Sequence, residues 1–188
     1  MLEKLIKEGK KFPVLYCDAP WSFVTFSKNN KGMLKSPDRH YKTMDLEAIK
    51  KIPVKDVLTD TAVCFFWVYN PMIPQALEVL NAWGLEFKTL GFCWRKTTKH
   101  GKDHFGLGYY TRQSVELCII ATKGKPKRPN ARNVRQILHS QVREHSRKPD
   151  EMYDLIERMY DGPYLELFAR NSYRKDWTKL GLEVGKLK

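Results

Sequence analysis

No apolar run in these 188 residues is long enough to cross a bilayer, which removes a membrane-spanning helix from consideration. The opening MLEKLIKEGKKFP lacks both a continuous apolar core and a small-residue cleavage site. It reads as a short basic amphipathic lead-in rather than a secretory leader, and a cytoplasmic location is expected. Cysteine is scarce. Cys17, Cys64, Cys93 and Cys118 each sit in or at the end of an apolar run, and none forms CxxC. They read as small hydrophobes in a reducing compartment, not as disulfides. His100, His104 and Cys93 have no tetrahedral spacing, so no metal is expected. Internal repeats and low-complexity linkers are also missing, and a single domain over residues 1–188 is the natural reading.

Acidic residues are in deficit as well, with 21 Asp and Glu against 34 Lys and Arg. The imbalance is local. Stretches 22–42, 96–112 and 123–148 hold 18 of the 34 basic residues and 3 of the 21 acids, leaving a nearly neutral scaffold. Basic loops on such a scaffold suit a polyanion, because phosphate contacts supply affinity without sequence information. Nucleic acid is therefore the expected partner, with no membrane role.

Short apolar runs alternate with helical patterns. Val14–Cys17 and Ala62–Tyr69 read as strands, the second apolar on both faces and hence central. Asp45 caps a short helix carrying Ala48, Ile49 and Ile52 on one face. Ile73, Ala76, Leu77, Leu80 and Trp83 mark a longer helix that stops at Gly84. Phe87–Arg95 and Val115–Thr122 predict an antiparallel pair joined by the glycine-containing loop 96–112. Pro149 opens a helix with Met152, Leu155, Ile156 and Met159 on its inner stripe, terminated by Gly162. Tyr164–Ala169 and Leu180–Val184 predict two further strands. The alternation implies an α/β sandwich on a mostly parallel sheet, with ligands beyond the carboxyl ends of the strands.

The tetrapeptide Asp18-Ala19-Pro20-Trp21 falls at such an end. An Asp carboxylate and a peptide carbonyl are two acceptors that match the two hydrogens of an exocyclic amine. The carbonyl of Ala19 is expected to be free beside Pro20, which has no N–H, and Trp21 offers a stacking face. Gripping both hydrogens would steer an aryl amine towards tetrahedral geometry and favour its attack on an electrophilic methyl. The same residues also suit an ordinary strand-ending turn with a core Trp.

Six other segments follow DAPW in a characteristic order: HYKTMDLEAIKKIPV, CFFWVYNPMIPQALEVLNAWG, GFCWRKT, GLGYYTRQSVEL, EHSRKPDEMYDLIERMY and GPYLELFAR. Together, over about residues 12–184, they resemble the family of the 70-kDa subunit of the mRNA adenosine N6-methyltransferase and its bacterial and phage relatives. The resemblance implies a Rossmann-like methyltransferase fold in permuted order, with the catalytic tetrapeptide before the cofactor strand. It also implies S-adenosylmethionine as cofactor and adenine N6 as acceptor. The family tetrapeptide is usually Asp-Pro-Pro-Trp, so Ala19 departs from it. No classical glycine-rich methyltransferase loop is present, as is normal for the family.

By the same resemblance, Lys148 falls near the methionine carboxylate, although a solvated lysine before a helix is the plainer reading. Glu166, Phe168, Arg170 and Asn171 align with the strand and turn beneath the nucleoside. Glu183 is placed at the ribose, with Leu182 replacing the usual Asn. Tyr41, Trp67, Asn70 and Tyr109 are the substrate-side candidates, Trp67 being equally readable as core. Small relatives of this kind imply DNA, with RNA as the alternative substrate and a non-catalytic nucleic-acid-binding scaffold as the competing class. Pairing with a homologous subunit, or a homodimer, is the implied assembly.

Overall fold

The computed structural model describes residues 1–22, 43–106, 108, 110–171 and 174–186. The expectations for Tyr41, for Tyr109 and for most of the basic stretch 22–42 lie outside the described residues.

Seven strands form one sheet: β1 (Phe12–Asp18), β2 (Leu58–Val68), β3 (Glu86–Thr97), β4 (Val115–Lys123), β5 (Ile137–Gln141), β6 (Tyr164–Leu167) and β7 (Trp177–Leu180). Their order is β5-β3-β4-β2-β1-β6-β7. β4 runs antiparallel to both its neighbours, β2 and β3. Every other pairing is parallel. The fold is thus α/β and Rossmann-like, with the expected β3–β4 antiparallel pair.

Both faces of the central strands are covered, which explains their continuous apolarity. Leu15 and Cys17 of β1, with Cys64, Phe66 and Val68 of β2, face one core. That core is closed by α2 (Leu46–Lys50) and α3 (Ile73–Ala82) through Ile49, Ala76, Val79 and Leu80. Leu5 of α1 (Leu2–Lys7) joins the same side. Val14 and Tyr16, with Val63, Phe65 and Trp67, face the other core, under α4 (Glu151–Met159). The alternation in β1 and β2 is the period of two expected of a strand.

Several boundaries differ from the sequence reading. β5 falls inside the stretch read as basic loop; it is an edge strand that follows β3 from Cys93 to Thr97. α4 begins at Glu151 and ends at Met159, where Tyr160 turns extended, so Gly162 is not its terminator. The last strand is Trp177–Leu180 rather than Leu180–Val184. It stops there because the chain then passes Ala169 so closely that a Cβ on Gly181 would lie 2.3 Å from the Ala169 carbonyl oxygen. Asp45 does cap α2, its Oδ1 accepting from the Ala48 N–H at 2.7 Å.

Candidate active site

The carboxyl ends of β1, β6 and β7 lie side by side, and the reversed direction of β4 brings its first residues to the same rim. Asp18 closes β1 opposite Trp67. Its Oδ2 receives the Lys148 ammonium at 2.6 Å, while its Oδ1 has no hydrogen-bond partner among the described residues. Lys148 also lies 3.3 Å from Glu116 Oε2 at the start of β4, and Lys96 donates to Glu116 Oε1 at 2.5 Å. The result is an alternating chain, Asp18–Lys148–Glu116–Lys96, across the rim. Burial pushes the Asp18 carboxyl up, and Lys148 pulls against that rise. Burial also acts upward on Glu116, but its two lysines together bring it down to about 2.

Trp67 is 1% exposed and supports Lys148 from below, its ring centroid 5.7 Å from the ammonium. Its indole N–H donates to the Tyr16 hydroxyl at 2.7 Å. Trp67 is therefore core, not a substrate-facing ring: β2 is covered on both faces and its side chain points into the α4 side. Asn70 begins the turn after β2, and its Oδ1 is buried without a hydrogen-bond partner among the described residues.

The turn after Asp18 also differs from expectation. The Ala19 carbonyl is not free, since it accepts from the Trp21 N–H at 2.9 Å around Pro20. A carbonyl oxygen has two lone pairs, so one acceptor position is left. The turn is then held across the chain: the Met44 N–H donates to the Pro20 carbonyl at 2.8 Å, and the Ser22 N–H to the Met44 carbonyl at 3.0 Å. Trp21 is 5% exposed and packs on Phe66 with centroids 5.8 Å apart. Its face is spent on the core rather than offered to a ligand, and its buried indole N–H lacks a partner among the described residues.

Beside Asp18 opens a cavity of about 710 Å³. Asp18, Ala19 and Pro20 form one end, and Phe168, Arg170, Gly181 and Glu183 another. Met1, Leu2, Met44 and Ile52 supply an apolar wall. Phe168 adopts φ of 62°, an uncommon region for a bulky residue and one that recurs at ligand sites. Arg170 is fixed by two bonds, its Nε to Glu183 Oε2 at 2.9 Å and a terminal nitrogen to the His145 carbonyl at 2.7 Å. Burial acts upward on Glu183, but Lys186 and Arg170 hold its carboxyl below the usual range.

Lys148, Glu166 and Asn171 do not line this cavity. They border a smaller recess of about 40 Å³ that shares Asp18, Ser146, Phe168 and Arg170 with it. Glu166 and Asn171 are buried partners in a polar cluster: the Tyr153 hydroxyl donates to Glu166 at 2.8 Å, and Asn171 Nδ2 donates to that hydroxyl at 2.7 Å. Lys179 pairs with Glu166 at 3.1 Å and also donates to Asn171 Oδ1. Glu116, Tyr16, Tyr153 and Lys179 are the members of this rim that reading the sequence missed. Glu116, Tyr153 and Lys179 lie far from DAPW along the chain and are brought near it by the strand order, whereas Tyr16 stands two residues before Asp18 on β1 and faces the α4 side. Among the described residues, no cluster of His, Cys, Asp and Glu could hold a metal ion.

The large cavity suits S-adenosylmethionine. Its volume falls in the range of about 300–1,000 Å³ usual for small-ligand sites. The apolar wall fits a nucleoside, the Glu183 carboxylate fits ribose hydroxyls, and Asp18 places negative charge at the end where a sulfonium methyl must react.

A family model described as MT-A70 matches residues 12–183. The chain is 30% identical over 190 residues to the type II methyltransferase M.MunI of Mycoplasma sp, an alignment covering 93% of this chain and 78% of that protein. It is 28% identical over 182 residues to the N(6)-adenosine-methyltransferase catalytic subunit METTL3 of Homo sapiens, covering 93% of this chain and 28% of that protein. It is 30% identical over 181 residues to an N(6)-adenosine-methyltransferase MT-A70-like protein of Arabidopsis thaliana, covering 92% of this chain and 24% of that one. The chain thus spans about a quarter of the length of these eukaryotic relatives. A match that runs from the first residue of β1 to the Glu183 carboxylate on the cavity wall takes in nearly the whole sheet and its rim, and on it the chain belongs to the MT-A70 family.

Proposed function

We propose that this protein is an adenine N6-methyltransferase acting on nucleic acid, with Asp18 as the residue that receives the amine. The observation that carries this is the Asp18 carboxylate at the cavity wall, anchored through Oδ2 and, among the described residues, unbonded at Oδ1. When bound, S-adenosylmethionine supplies a methyl group on a sulfonium, whose departure as a neutral thioether needs no acid. Glu183, Arg170 and Phe168 would hold it. Asp18 Oδ1 and the remaining lone pair of the Ala19 carbonyl accept the two N6 hydrogens. This draws the nitrogen lone pair out of conjugation and steadies the positive charge that builds on nitrogen. As the N–C bond forms, one N6 proton leaves towards Asp18. Lys148 keeps that carboxylate ionised and oriented until then.

An adenine paired in a duplex cannot reach this rim, so it enters unpaired or flipped. DNA is the preferred polymer in this reading, because the chain covers 78% of M.MunI, a type II methyltransferase by name, against 28% and 24% of two N(6)-adenosine-methyltransferases. Because Trp21 is buried, the base is not gripped by that ring.

The test is nucleoside mass spectrometry after incubating the protein and S-adenosylmethionine with DNA or RNA, single- and double-stranded, with Asp18→Ala as control. N6-methyladenine in DNA, lost in the variant while cofactor binding persists, is the expected result. Methylated RNA alone would overturn the polymer preference and leave the chemistry standing. Cofactor binding without transfer to any polymer would overturn the reaction.

A further inference from the structure

The basic stretches of the sequence do not all reach the catalytic rim. Loop 98–114 joins β3 to β4 at that rim. The segment 124–136 leaves β4 at the opposite end of the sheet, where Lys123 pairs with Ala62 and Thr122 with Glu86. It contains Lys125, Lys127, Arg128, Arg132 and Arg135 and no acid.

This segment is tied down along its backbone. Gly124, with φ of 59°, passes so close to β2 that a Cβ there would lie 2.5 Å from the Asp60 carbonyl oxygen. The Asn130 N–H donates to the Met159 carbonyl at 2.8 Å, at the last turn of α4, and Asn130 Nδ2 donates to Asp161 at 3.2 Å. Arg158 donates to Asn133 at 3.2 Å. Asp161, beside the segment, is met by its asparagine and not by its cations. All five cationic side chains are exposed, and none has an ion-pair or hydrogen-bond partner among the described residues. Elsewhere the arginines and lysines of the fold are largely consumed: Arg95 by Asp103, Lys96 by Glu116, Arg143 by Asp150, Arg170 by Glu183. Five uncompensated cations on a fixed loop cost self-repulsion, which a polyanion relieves.

We infer that Lys125, Lys127, Arg128, Arg132 and Arg135 form a second phosphate-binding surface, remote from the catalytic rim, that holds the flanking backbone of the nucleic-acid substrate. The inference rests on the nucleic-acid reading given above. Gly124 lies near the level of Phe12, five or six residues of β1 below Asp18. At about 3.3 Å per residue the surface therefore starts roughly 20 Å from the catalytic carboxylate. A duplex rises about 3.4 Å per base pair, so it reaches this loop only with flanks beyond about 6 base pairs. The consequence is a substrate-length threshold set by the fold, with the rim engaging the adenine and the far loop engaging only phosphate.

The experiment compares binding of mixed-sequence DNA duplexes of about 30 and about 10 base pairs, the shorter closed by a hairpin, for the parent and a five-fold Lys/Arg→Gln variant at these positions. Fluorescence anisotropy across a salt series gives both affinity and slope. The parent should bind the long duplex at least about tenfold more tightly, with a log–log salt slope steeper by about 3–4, as expected for that many extra phosphates at about 0.9 each. The variant should lose this advantage, match the parent on the short duplex and bind S-adenosylmethionine as the parent does. A long-duplex preference that survives in the variant, an absent preference in the parent, or an equal loss on both lengths would overturn the inference. Binding requires no turnover. A patch-dependent length preference without N6-methyladenine would sink the proposed reaction and keep the surface; methylation with a neutral patch would do the reverse.

Discussion

Lys148 Nζ lies 2.6 Å from Asp18 Oδ2 across 130 residues of sequence, and the same ammonium rests against Glu116. One lysine thus serves the carboxylate expected to meet the amine and a second carboxylate that is ionised far below neutral pH. This shared cation opposes the rise that burial imposes on Asp18 and, with Lys96, holds Glu116 low.

Asp18 must be ionised to accept hydrogens from the amine, and burial raises its pKa while Lys148 opposes the rise. kcat/KM should therefore fall on the acid side with an inflection above the usual aspartate range. Lys148→Met removes the opposing charge, so the inflection should move to higher pH still. A pH–rate profile of both proteins checks this. An unmoved inflection in the variant would show that another group titrates.

Glu116 gives the opposite sign. Its folded pKa of about 2 lies below the ordinary glutamate value of about 4.3. Its contribution to stability is complete above that ordinary value and is lost as pH falls through about 2. Glu116→Gln should cost roughly 2–3 kcal/mol at neutral pH and progressively less in acid. Urea unfolding of parent and variant at pH 7 and pH 3 reads the difference, which should shrink at the lower pH.

The Lys179–Glu166 pair is buried on both sides, with burial lowering the lysine and raising the glutamate. Lys179→Met leaves a buried carboxylate without its cation and should destabilise by about 3–5 kcal/mol. Adding Glu166→Gln should restore much of that loss, because the stranded charge is gone. A double-mutant cycle by denaturant melts measures the recovery. A double variant no more stable than Lys179→Met would place the cost in packing instead.

Trp21 should behave as a core residue. Trp21→Ala opens a hole beside Phe66 and should cost about 3–5 kcal/mol. Trp21→Phe keeps a ring there and should retain kcat/KM within a few-fold of the parent, measured beside Tm. A fully stable Trp21→Phe protein with no turnover would return this ring to the substrate.

The sheet was legible wherever a strand is covered on both faces: Val63 to Val68 is apolar at every position because α4 lies on one side and α2 and α3 on the other. β5 was hidden for the converse reason. It is an edge strand whose Ile137 is exposed and whose neighbours along the chain are basic, so neither continuous apolarity nor alternation marks it. Asp18 was found because an acid at a strand end is conspicuous. Its companions Lys148 and Glu116 join it through strand order and through the reversal of β4, neither of which leaves a local pattern. Trp21 had two readings, a stacking face after Asp18 and a core ring, and the partner that favours the second, Phe66, arrives from β2 and leaves no mark beside DAPW.

That reversed β4 has a further consequence. In a purely parallel sheet, each strand reaches the catalytic rim only with its end, and the return path is a crossover that fixes the architecture. Here β3 arrives at the rim and β4 departs from it, both locked by hydrogen bonds, so the connection between them is a hairpin at the end of the sheet where β1 closes on Asp18. Such a connection is a replaceable cassette. Its length and composition can drift or be exchanged by grafting without rewiring the pairing of β3 with β4 or of β4 with β2.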